Sequence, residues 1–177
     1  MFSNVFPHPY VDILRLFDKD ASKLELSGDA SAAIDKTIGK KVYAIKGITP
    51  AHNYVALPKG GPSSLGLGLG SPLLYLQLRI QPGTPFTIHL DLTTDKKFVH
   101  RVSISNRYTA IKRYGSTVQL PCPQALLQTA GRWAVLALDL PAIGRAVFPM
   151  ADGEYSSLKG ITACATMSLR AAFISET

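Results

Sequence analysis

Carboxylates are scarce over most of this chain of 177 residues. After residue 36 only Asp91, Asp95, Asp139, Asp152, Glu154 and Glu176 occur, and no Gly-x-Ser-x-Gly elbow is present. Acid–base and nucleophilic catalysis are poorly supplied, so no catalytic residues are assigned and no enzyme is expected. Cysteine is scarcer still. Cys122 and Cys164 are the only two and form no Cys-x-x-Cys pair, which leaves neither a disulfide framework nor a zinc site. Both are expected as buried thiols. Nowhere do ~20 uninterrupted apolar residues occur, so no membrane-crossing helix is expected. The opening MFSNVFPHPYVDILRLFDKD lacks a basic n-region, is broken by Pro7 and Pro9, and gains acids at once, unlike a secretory signal. The expectation is an intracellular protein.

What the chain does hold is apolar residues, 46% against 18% charged, enough to offset the entropy of ordering a core. Its length suits one domain over residues 1–177. Period-two alternation recurs between turn residues and predicts an all-β, antiparallel β-sandwich of jelly-roll type. Leu74, Leu76, Leu78 and Ile80 fall on one face of a strand over Leu73–Ile80, with Tyr75, Gln77 and Arg79 opposite. After Gln81–Pro85, Phe86, Ile88, Leu90 and Leu92 line a second strand, and the two read as a hairpin. Val102 and Ile104 point inward next, with Arg101, Ser103 and Ser105 outward. Further strands are predicted at Val42–Gly47, Tyr54–Leu57, Ser116–Leu120, Trp133–Leu140 and Ile161–Ile174, the last divisible into two. Short helices are expected near Pro9–Phe17 and Pro141–Phe148, where proline suits the first turn.

Three features invite chemistry and have plainer readings. Gly66-Leu-Gly68-Leu-Gly70 lacks the preceding strand and following helix of a dinucleotide site, and reads as part of a loop over Lys59–Pro72. His89 and Asp91 share a strand face at chelating spacing, but a third ligand is not evident, so metal and cofactor are both assigned as none. Trp133 differs in parity from Leu136, Leu138 and Leu140 and is expected to pack in the core at a strand end or bulge.

Charge carries the stronger signal. Residues 1–35 hold six acids and three bases, whereas residues 36–113 hold twelve bases against Asp91 and Asp95, a balance of +10. Such a segment favours an acidic partner: nucleic acid, anionic lipid or an acidic protein surface. Lys96, Lys97, Arg101, Arg107, Lys112 and Arg113 are expected to form one basic face, extended by Lys40, Lys41 and Lys46 if their strand is adjacent. The competing reading is a solvated edge that discourages strand aggregation.

Several stretches together resemble a known family. They are Met1-Phe-Ser-Asn4, Asn53-Tyr54, Ser64-Leu-Gly-Leu67, the basic strand Lys97–Asn106, Gly131-x-Trp133, and Leu169-Arg170 to Ser175. The chain resembles the cilia- and flagella-associated protein 20 domain family from end to end. Within it, His8-Pro9-Tyr10, Asp35-Lys36-Thr37, Val42-Tyr43-x-Ile45-x-Gly47, Asn53-Tyr54-x-x-Leu57-Pro58-Lys59 and Phe86-x-Ile88-His89-Leu90-Asp91 are similar to the N-terminal module of centriolar WD-repeat proteins. The resemblance implies a jelly roll without enzymatic activity, on the inner wall of doublet or triplet microtubules near the inner junction. It places the protein in the cytoskeleton, at the centriole, basal body or ciliary axoneme. It also implies tubulin and neighbouring inner-wall proteins as partners, and a chain that is the N-terminal fragment of a longer WD-repeat protein. Carbohydrate binding and nucleic-acid binding are the alternatives that a basic sandwich leaves open.

Overall fold

The structure, a computed structural model, describes residues 10–18, 23–60 and 65–176. The motif residues Met1–Asn4, His8, Pro9 and Ser64 lie outside them. Among the described residues two sheets enclose one core. The six-stranded sheet runs β11 (Ala134–Asp139), β6 (Leu73–Ile80), β13 (Met167–Ser175), β4 (Lys40–Ile45) and β3 (Ala30–Asp35), and β1 (Tyr10–Asp12) also pairs with β13. The seven-stranded sheet runs β2 (Glu25–Ser27), β5 (Tyr54–Leu57), β12 (Tyr155–Ala165), β7 (Phe86–Thr94), β8 (Val99–Ser105), β10 (Thr117–Pro121) and β9 (Lys112–Tyr114).

The alternation in β6 and β7 decides the architecture. Leu74, Leu76, Leu78 and Ile80 are buried from one sheet, and Phe86, Ile88, Leu90 and Leu92 from the other. Each such side chain contributes roughly 1.5–3 kcal/mol on burial, so two complete apolar faces gain most by stacking across the core. The expected β6–β7 hairpin is therefore not formed. Gln81–Pro85 carries the chain from one sheet to the other, and β7 pairs with β12 and β8 instead. The predicted stretch Ile161–Ile174 does divide, into β12 and β13, one in each sheet.

One pair departs from antiparallel order. β10 runs parallel to β8, from Thr117 beside Arg101 to Pro121 beside Ser105. After β8 the chain skips a strand position, forms β9 as the edge, and turns back at Gly115 (φ +57°) into the vacant place. Among the described residues three α-helices occur where two were expected: α1 (Ile13–Asp18), α2 (Gln124–Leu127) and α3 (Leu140–Val147). Asp139 caps α3 by accepting from the Ala142 N–H at 2.8 Å, with Pro141 in its first turn.

Trp133 does not enter the core. Its half-buried ring covers the outer face of the six-stranded sheet, with the Arg79 guanidinium 5.1 Å from the ring centroid and 2.7 Å from Asp35 Oδ2. The glycine run lies along β12, with the Leu67 N–H donating to Lys159 O at 2.8 Å. A Cβ at Gly66 (φ +81°) would meet Lys159 Cγ at 2.5 Å.

Candidate functional site

Residues paired across neighbouring strands share a sheet face, so the outer face of the seven-stranded sheet can be read row by row. One row crosses every strand: Lys112, Gln119, Ser103, His89, Thr162, Ala56 and Glu25. The next holds Tyr114, Thr117, Arg101 and Asp91. A depression of about 410 Å³ opens over the middle of this face, walled by Glu25, Tyr54, His89, Arg101 and Thr162.

Its polar groups hold one another. Arg101 donates from Nε and Nη2 to the two oxygens of Asp91, both at 2.8 Å, and this hydrogen bonding raises the Arg101 pKa. Burial pushes His89 down to about 4, helped by the Arg101 charge and opposed by Asp91. The Tyr54 hydroxyl donates to Glu25 Oε1 at 2.7 Å and, with the Gly60 N–H, lowers the Glu25 pKa. Ser103 and Ser105, expected outward, do point to this face, yet both are buried. Ser103 Oγ lies 2.7 Å from His89 Nδ1, and Ser105 Oγ donates to Phe86 O at 2.6 Å.

These contacts restrict the chemistry. The Ser103–His89 contact resembles half of a nucleophilic pair, but Ser103 is only 1% exposed and Asp91 is committed to Arg101. The same commitment occupies the carboxylate of the His89–Asp91 chelate. His89 itself sits half-buried in the central strand of the sheet. Tyr54 is the aromatic side chain in the wall of the depression, and its hydroxyl is tied to Glu25.

The cations singled out in the sequence spread around this sheet. Lys112 and Arg113 are exposed on the edge strand β9. Arg107, exposed, follows the C-terminal end of β8. Lys96 and Lys97 are exposed in the turn before β8, at the other end of a seven-residue strand, and Lys96 Nζ donates to Ala151 O at 3.0 Å. Arg101 lies between them in its ion pair, while Lys40 and Lys41 belong to β4 of the other sheet. Closeness in sequence thus becomes separation by roughly 20 Å, because each strand residue advances the chain ~3.3 Å.

Asn53, quoted above only as a motif residue, organises the loop before β5. Its Oδ1 accepts from the Asp29 N–H at 2.9 Å and its Nδ2 donates to Thr49 O at 3.0 Å. Gly28 and Gly47 both pack against its side chain, where a Cβ would collide with it. The CFA20 domain matches residues 1–177. The chain belongs to the CFA20 domain family. Centriole proteome protein 16 of Chlamydomonas reinhardtii is 39% identical over 172 residues, covering 96% of this chain and 8% of that protein. WD repeat-containing protein 90 of Homo sapiens is 32% identical over 185 residues, covering 98% of this chain and 10% of that protein. This CFA20 domain therefore spans a tenth or less of the length of these two relatives. A solved structure from a comparison of family 12 glycoside hydrolases aligns over 88% of this chain and 94% of its own, at TM-score 0.44 and 12% identity. A likeness at that level carries no functional information.

Proposed function

We propose that this CFA20 domain is a non-catalytic microtubule-binding module of the centriole or ciliary axoneme, seated on the inner wall at or near the inner junction of doublet or triplet microtubules. The observation that carries this reading is end-to-end membership of the family, together with 39% identity to a protein named from the centriole proteome. The same likeness supports a cytoskeletal location, and the much longer WD-repeat relatives support a place within a longer WD-repeat protein.

The exposed cations of the seven-stranded sheet would contact acidic tubulin: Lys112 and Arg113 on the edge strand, Arg107 beyond β8, and Lys96 and Lys97 at the opposite end. Electrostatics would steer the approach, and the shape of the lattice would fix the site. Arg101 would hold the sheet surface in form rather than meet tubulin directly. Lys40 and Lys41 lie off this surface.

Co-sedimentation with taxol-stabilised microtubules over a salt series tests the reading, with soluble tubulin and double-stranded DNA as competitors. Saturable pelleting that DNA does not displace, weakened by joint reversal of Lys96, Lys97, Arg107, Lys112 and Arg113, is expected. Absence of pelleting by the folded domain at low salt, or displacement by DNA with a steep salt slope, would overturn it.

A further inference from the structure

A second basic site lies on the other sheet, and its geometry is that of a cleft. β13 changes partner along one side: Met167–Leu169 pair with β4, and Phe173–Ser175 pair with β1. Between these ladders, where β13 also bulges against β6 between Leu169 and Ala171, no strand of the described residues is in register with Arg170–Ala172 on that side. A cleft of about 230 Å³ occupies the place. Leu14 of α1 and Tyr43 of β4 wall it, both buried, and Arg15, Lys40, Lys41 and Arg170 surround it. Among the described residues Asp12 is the one carboxylate in the lining, and its Oδ1 accepts from the Arg15 N–H at 3.1 Å. Arg170 Nη1 donates to the neutral amide of Gln77 at 3.1 Å, which leaves its charge uncompensated by that contact.

We infer that this cleft binds the carboxylate side chains of an extended acidic peptide from a partner protein. Among the described residues Arg15, Lys40 and Arg170 stand around one acid and supply the charge complementarity, and two guanidinium groups supply the planar fork that suits a carboxylate. The volume falls below the ~300 Å³ at which pockets for whole small ligands begin, which suits side chains entering from a chain that lies across the surface. A nucleic-acid strand fits less well. Tyr43, the aromatic ring in the wall, is 6% exposed and already has Lys41 Nζ 5.3 Å from its centroid, so no face is offered to a base. This site does not depend on the microtubule reading, because it lies on β4, β13 and α1 rather than on the sheet that carries Lys112 and Arg113.

Fluorescence anisotropy with a labelled hexaglutamate peptide and the folded domain tests the inference. Saturable binding is expected, weakened about tenfold or more by Arg15→Glu with Lys40→Glu and unchanged by Lys112→Glu with Arg113→Glu. Arg170→Gln should weaken it with an unaltered thermal melt, which separates lost charge from lost fold. Three results would overturn the site: no saturation with the unaltered domain, equal weakening by both double variants, or equally good competition by inorganic phosphate or single-stranded DNA. Microtubule pelleting retained by the Arg15/Lys40 variant would leave the two readings separately judged.

Discussion

Arg101 grips Asp91 through two parallel hydrogen bonds of 2.8 Å, one to each carboxylate oxygen, across the β7–β8 ladder. The Asp91 side chain is 4% exposed and that of Arg101 29%, so the acid depends on the base more than the reverse. Arg101→Met should strand a buried carboxylate and cost about 2 kcal/mol, below the ~3–5 of a fully buried pair because Arg101 reaches water. Arg101→Lys should recover only part, since it loses the fork. Urea denaturation midpoints measure both. An unchanged midpoint for Arg101→Met would show that the pair does not stabilise the fold.

The Arg79 guanidinium lies over the Trp133 ring and pairs with Asp35, and Trp133 is the only tryptophan of the chain. Burial raises the Asp35 pKa, but the Ile38 and Thr37 N–H groups and the Arg79 charge outweigh it and leave the pKa lowered. Arg79→Ala should open the ring to water, red-shift its emission, and lower stability by about 1–2 kcal/mol. An emission maximum that stays in place would place the ring's cover elsewhere.

His89 supplies a pH dependence. Its folded value of about 4 lies below the ~6.5 of an unfolded histidine. Between those values the unfolded chain binds a proton that the folded one refuses. Stability should therefore fall as pH drops from ~6.5 to about 4, level off below, and lose up to ~3 kcal/mol from this group. His89→Gln should flatten the difference between urea midpoints at pH 7 and pH 5. Parallel pH profiles for the two proteins would exclude the effect.

Burial raises the thiols of Cys122 and Cys164 to about 11 and about 12. Thiolate is the reactive form, so both should resist iodoacetamide at pH 8 in the folded domain and react promptly in urea. Mass spectrometry distinguishes the two; rapid labelling of the folded domain would contradict their burial.

Much of the fold is legible in residue order because apolar alternation reports burial directly. β5 and β6 have the predicted bounds, and the inward faces of β7 and β8 are the predicted ones. Alternation does not say which sheet a strand joins, which is why two adjoining apolar faces read as a hairpin when they stack. The strands it missed carry little pattern. β3 is Ala-Ser-Ala-Ala-Ile-Asp with four consecutive exposed residues, and β9 is the wholly exposed Lys-Arg-Tyr. The Arg101–Asp91 pair could have been found by counting back from the Thr93–Lys97 turn, since the register of a hairpin sets its opposing residues. The cleft around Arg170 could not, because it depends on where one strand exchanges partners.

The last two strands in residue order hold the middle of both sheets. β12 separates β5 from β7, and β13 separates β6 from β4. During synthesis, then, the larger sheet must remain as two fragments, β2–β5 and β7–β8–β10–β9, until residues 155–165 emerge from the ribosome. The smaller remains as β11–β6 and β4–β3 until residues 167–175 follow. A ribosome that stalled before residue 155 would display together four strand edges that the finished sheets cover, the kind of surface that chaperones hold and that aggregates recruit.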